Sequence, residues 1–128
     1  MSEYMFLLYA PEVDEEGQAK RWAEMPRWLE ITESLREAGL LVANGPLHGV
    51  ETATTVRVRL GETELTDGPF AVTKELLVGY YILDCADLDE ALRCAARLPA
   101  AEYGSIEVRP MVDMSTIMVP DDAAAHRG

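Results

Sequence analysis

The sequence predicts an α+β fold in which helices cover one face of an antiparallel sheet. Three observations carry this. Several short runs alternate apolar and polar residues, or are continuously apolar, as strands do. Two segments instead repeat apolar residues at helical spacing. The two kinds interleave as strand, helix, strand, strand with a small hairpin, strand, helix, strand. That order is two βαβ halves, the pattern of a ferredoxin-like βαβ-βαβ sandwich with an added hairpin.

Tyr4 to Tyr9 is short, apolar and aromatic, and reads as the first strand. Pro11 to Gly17 is acidic and turn-rich and reads as a loop. Pro26 suits the first turn of a helix, where its missing N–H costs nothing. Trp28, Ile31, Leu35 and Ala38 then recur at helical spacing, with Gly39 just past the helix end. Leu40 to Ala43 is a second strand, stopped by Asn44-Gly45-Pro46. Thr54 to Leu60 alternates, with Val56, Val58 and Leu60 on one side and Thr55, Arg57 and Arg59 on the other, as expected of a half-buried strand.

Gly61-Glu62 is expected to turn the chain into a brief strand from Glu64 to Thr66. Leu76 to Leu83 is longer and more continuously apolar, which places it centrally in the sheet. Asp87-Leu88-Asp89-Glu90 reads as a capping box. It opens a helix with Leu88, Ala91, Leu92 and Ala95 on one face, ended by Pro99. Ser105 to Arg109 alternates with Ile106 and Val108 inward. Met111 to Val119 is apolar without a clear period. The domain is therefore set at residues 1–119, with 120–128 as a loose tail.

The chain has 128 residues and a net charge of −12. That length holds one core. The charge argues against nucleic acid and anionic membrane as partners. No run is long and apolar enough to cross a bilayer, and no basic region precedes the first apolar stretch, so a cytoplasmic location is expected. Cys85 and Cys94 are too few for a disulfide framework and read as reduced core residues.

Chemistry concentrates around one turn. Pro69 fixes its own φ and restricts Gly68, which would hold the Asp67 carboxylate at a cleft edge while Phe70 anchors the loop in the core. Asp67 is thus a candidate general base or hydrogen-bond acceptor; the alternative is an Asx-type turn. Lys74 would stabilise an oxyanion or bind a carboxylate, and Glu75 would act as acid or base; otherwise the two form an ion pair or a dimer contact. Tyr80 and Tyr81 alternate faces, so one phenol is expected to reach a ligand space. Tyr9 and the loop residue His48 stand at its edge. No Cys/His/carboxylate spacing suggests a metal site, and no Gly-rich phosphate loop follows a strand, so no cofactor is expected.

Asp67-Gly68-Pro69-Phe70, Thr73-Lys74-Glu75, Gly79-Tyr80-Tyr81, the Asp87-to-Ala91 helix start and Glu107-Val108-Arg109-Pro110 occur in one order along the chain. In these motifs the sequence resembles the DGPF-domain family, part of the wider YCII-related group. The resemblance implies a dimeric α+β barrel, in which two ferredoxin-like sheets pack face to face, and hence a homodimer. Smaller YCII-like proteins carry a suggested catalytic His–Asp pair; aligned on Gly39, those positions are Trp28 and Glu37 here, so that mechanism does not transfer. Many members carry Glu where this chain has Val72.

The resulting expectation is a protein that binds a small organic molecule between sheet and helices. Asp67, Lys74 and Glu75 would be catalytic if it is a cofactor-free acid–base enzyme of isomerase or lyase type. Tyr9, His48, Phe70 and Tyr80 would contact the molecule. The alternative is a non-catalytic accessory or sensor module in a sigma-factor-linked regulatory pathway, with Met111 to Val119 as its exposed apolar patch.

Overall fold

A computed structural model describes residues 1–71 and 73–117. In chain order the elements are β1 (Ser2–Pro11), α1 (Glu15–Ala23), α2 (Met25–Glu37), β2 (Leu41–Pro46), β3 (Thr54–Arg59), β4 (Glu62–Asp67), β5 (Glu75–Cys85), α3 (Leu88–Arg97), α4 (Ala100–Tyr103) and β6 (Ser105–Pro110). Short 3₁₀ turns lie at Val50–Thr52 and Met114–Thr116. The main sheet has the order β2-β5-β1-β6, and every neighbouring pair is antiparallel. The fold is therefore α+β and ferredoxin-like, with β5 and β1 central, as the apolar run at 76–83 predicts.

The core lies between this sheet and the helices. Tyr4, Phe6, Leu8 and Ala10 alternate inward along β1 and meet Tyr81, Leu83 and Cys85 of β5. Leu35 of α2, and Ala91, Cys94 and Ala95 of α3, close over them. The small residues of α3 let the helix sit close to the strands. Leu88 and Leu92, expected on that inner face, are exposed instead. The capping box forms: Asp87 Oδ1 accepts from Glu90 N at 2.9 Å, and Glu90 Oε1 accepts from Ala86 N at 2.8 Å. Gly39 follows α2 with φ 78°, and Leu40 N donates to Leu35 O across the turn.

Four local readings need correction. Residues 15–17, read within a loop, begin α1. Asp14 caps it by accepting from Gly17 N at 2.9 Å, with Glu15 and Glu16 in the first turn and Lys20 and Arg21 in the last. No residue of α1 is buried, so there was no apolar stripe for a periodicity argument to detect. Second, β2 runs through Asn44-Gly45-Pro46. As an outer strand it tolerates Pro46, and Gly45 leaves room for the Tyr80 ring: an added Cβ would stand 2.9 Å from Tyr80 Cε1. Third, β3 and β4 form a separate two-stranded ribbon. Its alternation is real, with Arg57 opposite Glu64 and Arg59 opposite Glu62 on one face. The other face, Val56, Val58 and Leu65, is exposed rather than half-buried, with no other element among the described residues lying over it. Fourth, Phe70 is 78% exposed and anchors nothing in the core.

Met111, Val112, Met114 and Ile117 are exposed beyond β6. The remainder of the expected patch, and the 120–128 tail, lie outside the described residues. Among the described residues no helix is long and apolar enough to cross a membrane.

Candidate binding cleft

At the end of the sheet where β1 stops, β2 stops and β5 starts, an open cleft of about 1010 Å³ lies against α1 and α2. Its strand wall is built by Ala10 and Pro11 of β1, by residues 76–81 of β5, by Asn44 to Pro46 of β2 and by Leu47 to Glu51 after it. Trp22 of α1, Trp28, Leu29 and Thr32 of α2, and Tyr103 of α4 supply the helical wall. The register between β1 and β5 slips between Leu8 and Tyr9, so that Leu8 faces Gly79 and Tyr9 faces Leu77. This irregularity bends the strand ends at the cleft.

The deep part of the cleft is aromatic and ordered. Trp28 and Tyr81 stack with ring centroids 6.2 Å apart and planes 16° from parallel. Thr32 Oγ1 donates to Trp28 O at 2.8 Å and lies 2.7 Å from the Tyr81 hydroxyl. Thr32 and Tyr81 are only 8% and 5% exposed. Beside them the Arg21 guanidinium lies 4.7 Å from the centre of the Tyr103 ring. Burial, and then the Glu24 carboxylate, hold the Tyr103 phenol above its ordinary pKa. Glu24 Oε2 is buried with no hydrogen-bond partner among the described residues. Arg36 and His48 sit among the polar lining residues, with Arg36 paired to Glu33.

The residues singled out from sequence do not converge. Of the seven, Tyr80 and His48 line the cleft. Tyr80 pairs with Leu7 and Gly45 on the sheet face away from the helices, while its neighbour Tyr81 faces them. Tyr9 is half-buried beside Ser105 and Leu77 and outside the cleft lining. Asp67 ends β4 opposite Thr54 and is exposed. The turn after it is held by the backbone: Gly68 has φ 96°, its N–H donates to Ala53 O at 2.7 Å, and its carbonyl accepts from Thr55 Oγ1 at 2.8 Å. Pro69 and Phe70 line a small hollow of about 200 Å³ with Thr55, Arg57 and Thr66 on the ribbon's polar face. Lys74 is exposed ahead of β5. Glu75 opens β5, where Glu75 Oε1 accepts from Ser105 Oγ at 2.6 Å. Asp67, Lys74 and Glu75 therefore line neither the cleft nor the small hollow. Val72 lies outside the described residues.

Sequence reasoning missed Trp22, Thr32 and Tyr103 as cleft residues, and of the alternating pair Tyr80 and Tyr81 it named only Tyr80 as a contact. Trp22 was hidden with the undetected α1. Thr32 had one available signal, a polar residue on the apolar stripe between Trp28 and Leu35. Trp28, read from sequence only as part of the apolar stripe of α2, is a wall of the cleft.

The YCII-related domain family matches residues 2–115 of the chain. Over 77 residues the chain is 51% identical to an uncharacterized protein of Rhizobium meliloti (strain 1021). That match covers 59% of this chain and 62% of the relative's length. With nearly all of its described fold inside the match, the chain belongs to the YCII-related family.

Proposed function

We propose that the protein binds a small, planar organic molecule in the cleft between the α1–α2 wall and the ends of β1, β2 and β5. One observation carries the reading: a space of about 1010 Å³ whose inner wall is the stacked Trp28–Tyr81 pair, with Trp22 and Tyr103 on the same lining. Aromatic walls of this kind gain from desolvating and stacking flat apolar surface, while a few polar groups set orientation. Acid–base catalysis by Asp67, Lys74 and Glu75 is not part of this reading, because those side chains lie away from the cleft. The protein acts as a binder or sensor, and the Asp67-Gly68-Pro69-Phe70 turn serves the β3–β4 ribbon that it follows.

Pairing as a homodimer belongs to the same proposal. Met5 and Leu7 of β1 face Ile82 and Tyr80 of β5 on the side opposite the helices, and the ribbon exposes Val56, Val58 and Leu65. A second copy would cover such apolar surface at the least cost in new chemistry.

Both tryptophans of the chain line the cleft, so intrinsic fluorescence reports its occupancy. A panel of small aromatic acids, phenols and amines should include compounds that quench emission saturably. Trp22→Ala, which removes an exposed wall residue, should weaken those compounds severalfold. If no member of the panel changes the emission at millimolar concentration, the reading is wrong.

A further inference from the structure

The hydrogen bonds at the cleft floor have a direction. Thr32 has one hydroxyl proton, and the carbonyl of Trp28 has none. The 2.8 Å contact from Thr32 Oγ1 to Trp28 O therefore uses the threonine's proton. The 2.7 Å contact between Thr32 Oγ1 and the Tyr81 hydroxyl can then be a hydrogen bond only if tyrosine donates. The Thr32–Tyr81 contact is buried and the Thr32–Trp28 contact part-buried, and both oxygen pairs lie at hydrogen-bond distance, so both bonds are made. The chain runs Tyr81 O–H to Thr32 O–H to Trp28 C=O. It is held at one end by the backbone of α2 and at the other by the Tyr81–Trp28 stack.

With its proton committed to Thr32, the Tyr81 oxygen has only lone pairs left. We propose that Tyr81 is a specificity residue that selects a ligand carrying a hydrogen-bond donor, a phenol or aryl amine, and rejects its ether or tertiary-amine counterpart. This rests on the cleft being the binding site and adds the class of ligand. Phenol and ether differ little in size or flatness, so stacking on Trp28 cannot separate them. An acceptor fixed at the floor does, because an ether oxygen set against the Tyr81 oxygen brings two lone pairs together with no proton between them. Thr32 is a positioning residue that acts through Tyr81.

Three probes separate the possibilities: 2-naphthol, 2-methoxynaphthalene and naphthalene, titrated by calorimetry against the full chain. The expected order in the unsubstituted protein is naphthol about tenfold tighter than methoxynaphthalene, the size of one net hydrogen bond. Tyr81→Phe should erase that preference while naphthalene binds as before. Thr32→Val keeps the shape of the side chain but removes the acceptor, so the Tyr81 proton becomes available to the ligand. Methoxynaphthalene should then gain severalfold and close the gap. Equal binding of naphthol and methoxynaphthalene to the unsubstituted protein overturns the directional assignment while leaving the cleft in place. An unchanged preference in Thr32→Val overturns it also. Failure of all three probes to bind removes the cleft reading and this inference with it.

Discussion

Gly104→Ala tests how closely the cleft's end of the sheet is packed. Gly104 lies between α4 and β6, and a Cβ added there would stand 2.0 Å from Tyr9 O and 3.0 Å from Ala10 Cα. Ordinary carbon–oxygen contact begins near ~3.5 Å, so the overlap exceeds an ångström. Neither neighbour is the free end of a side chain. Both are backbone of β1, which is hydrogen-bonded to β5 on one side and β6 on the other. Over-packing costs ~1–3 kcal/mol where side chains can adjust. With backbone on both sides of the clash we expect the upper end, about 3 kcal/mol. Gly39→Ala is the control. Gly39 has φ 78° and nothing within 4 Å of an added Cβ, so it should lose only the ~1–2 kcal/mol of a left-handed residue. Urea unfolding at one protein concentration, followed by circular dichroism, reads the difference. With a slope of ~1–3 kcal/mol per molar, Gly104→Ala should lower the midpoint by about 1 M or more. A loss no larger than that of Gly39→Ala would refute the claim that the β1 backbone is fixed there.

Two further outcomes are expected. Ile82→Glu, on the sheet face opposite the helices, should convert a homodimer sedimenting at twice 14.2 kDa into a monomer; a wild-type protein already monomeric at micromolar concentration would rule the pairing out. Burial pushes the Cys85 thiol from its ordinary 9.0 up to about 12, so the folded state keeps the proton that the unfolded state gives up. That contribution is fully present below pH 9 and is lost as pH rises from 9 toward about 12. Stability should therefore fall across that window, and the native thiol should resist aromatic disulfide reagents at pH 8 but react on unfolding; rapid reaction of the folded protein would contradict the burial.

Much of the fold was legible because burial imposes periods on sequence. The apolar run of Tyr4 to Tyr9, the stripe of Trp28, Ile31 and Leu35, and the Asp87–Glu90 cap all follow from local rules that the structure obeys. The helix α1 was not legible for the converse reason. It buries nothing, and only its cap and end charges mark it. The ribbon shows the limit of alternation. Val56, Val58 and Leu65 declare one apolar face, but local sequence does not state what covers it.

The candidate site fared differently. Asp67, Lys74 and Glu75 attracted notice because they are close in sequence, and closeness in sequence put them at the end of a ribbon, in a loop and on a strand start. The cleft is assembled from β1, α1, α2, β2 and the segment after it, β5 and α4, whose residues are far apart along the chain. Sequence by itself determined the βαβ order, the two-faced strands, the Asp87–Glu90 cap and the membership of Cys85 and Cys94 in the core, because each depends on neighbours within a few residues. Tertiary structure alone decided that Tyr81 rather than Tyr80 faces Thr32 beneath Trp28. Register between strands and the approach of α2 set those contacts, and neither is fixed until the chain has folded.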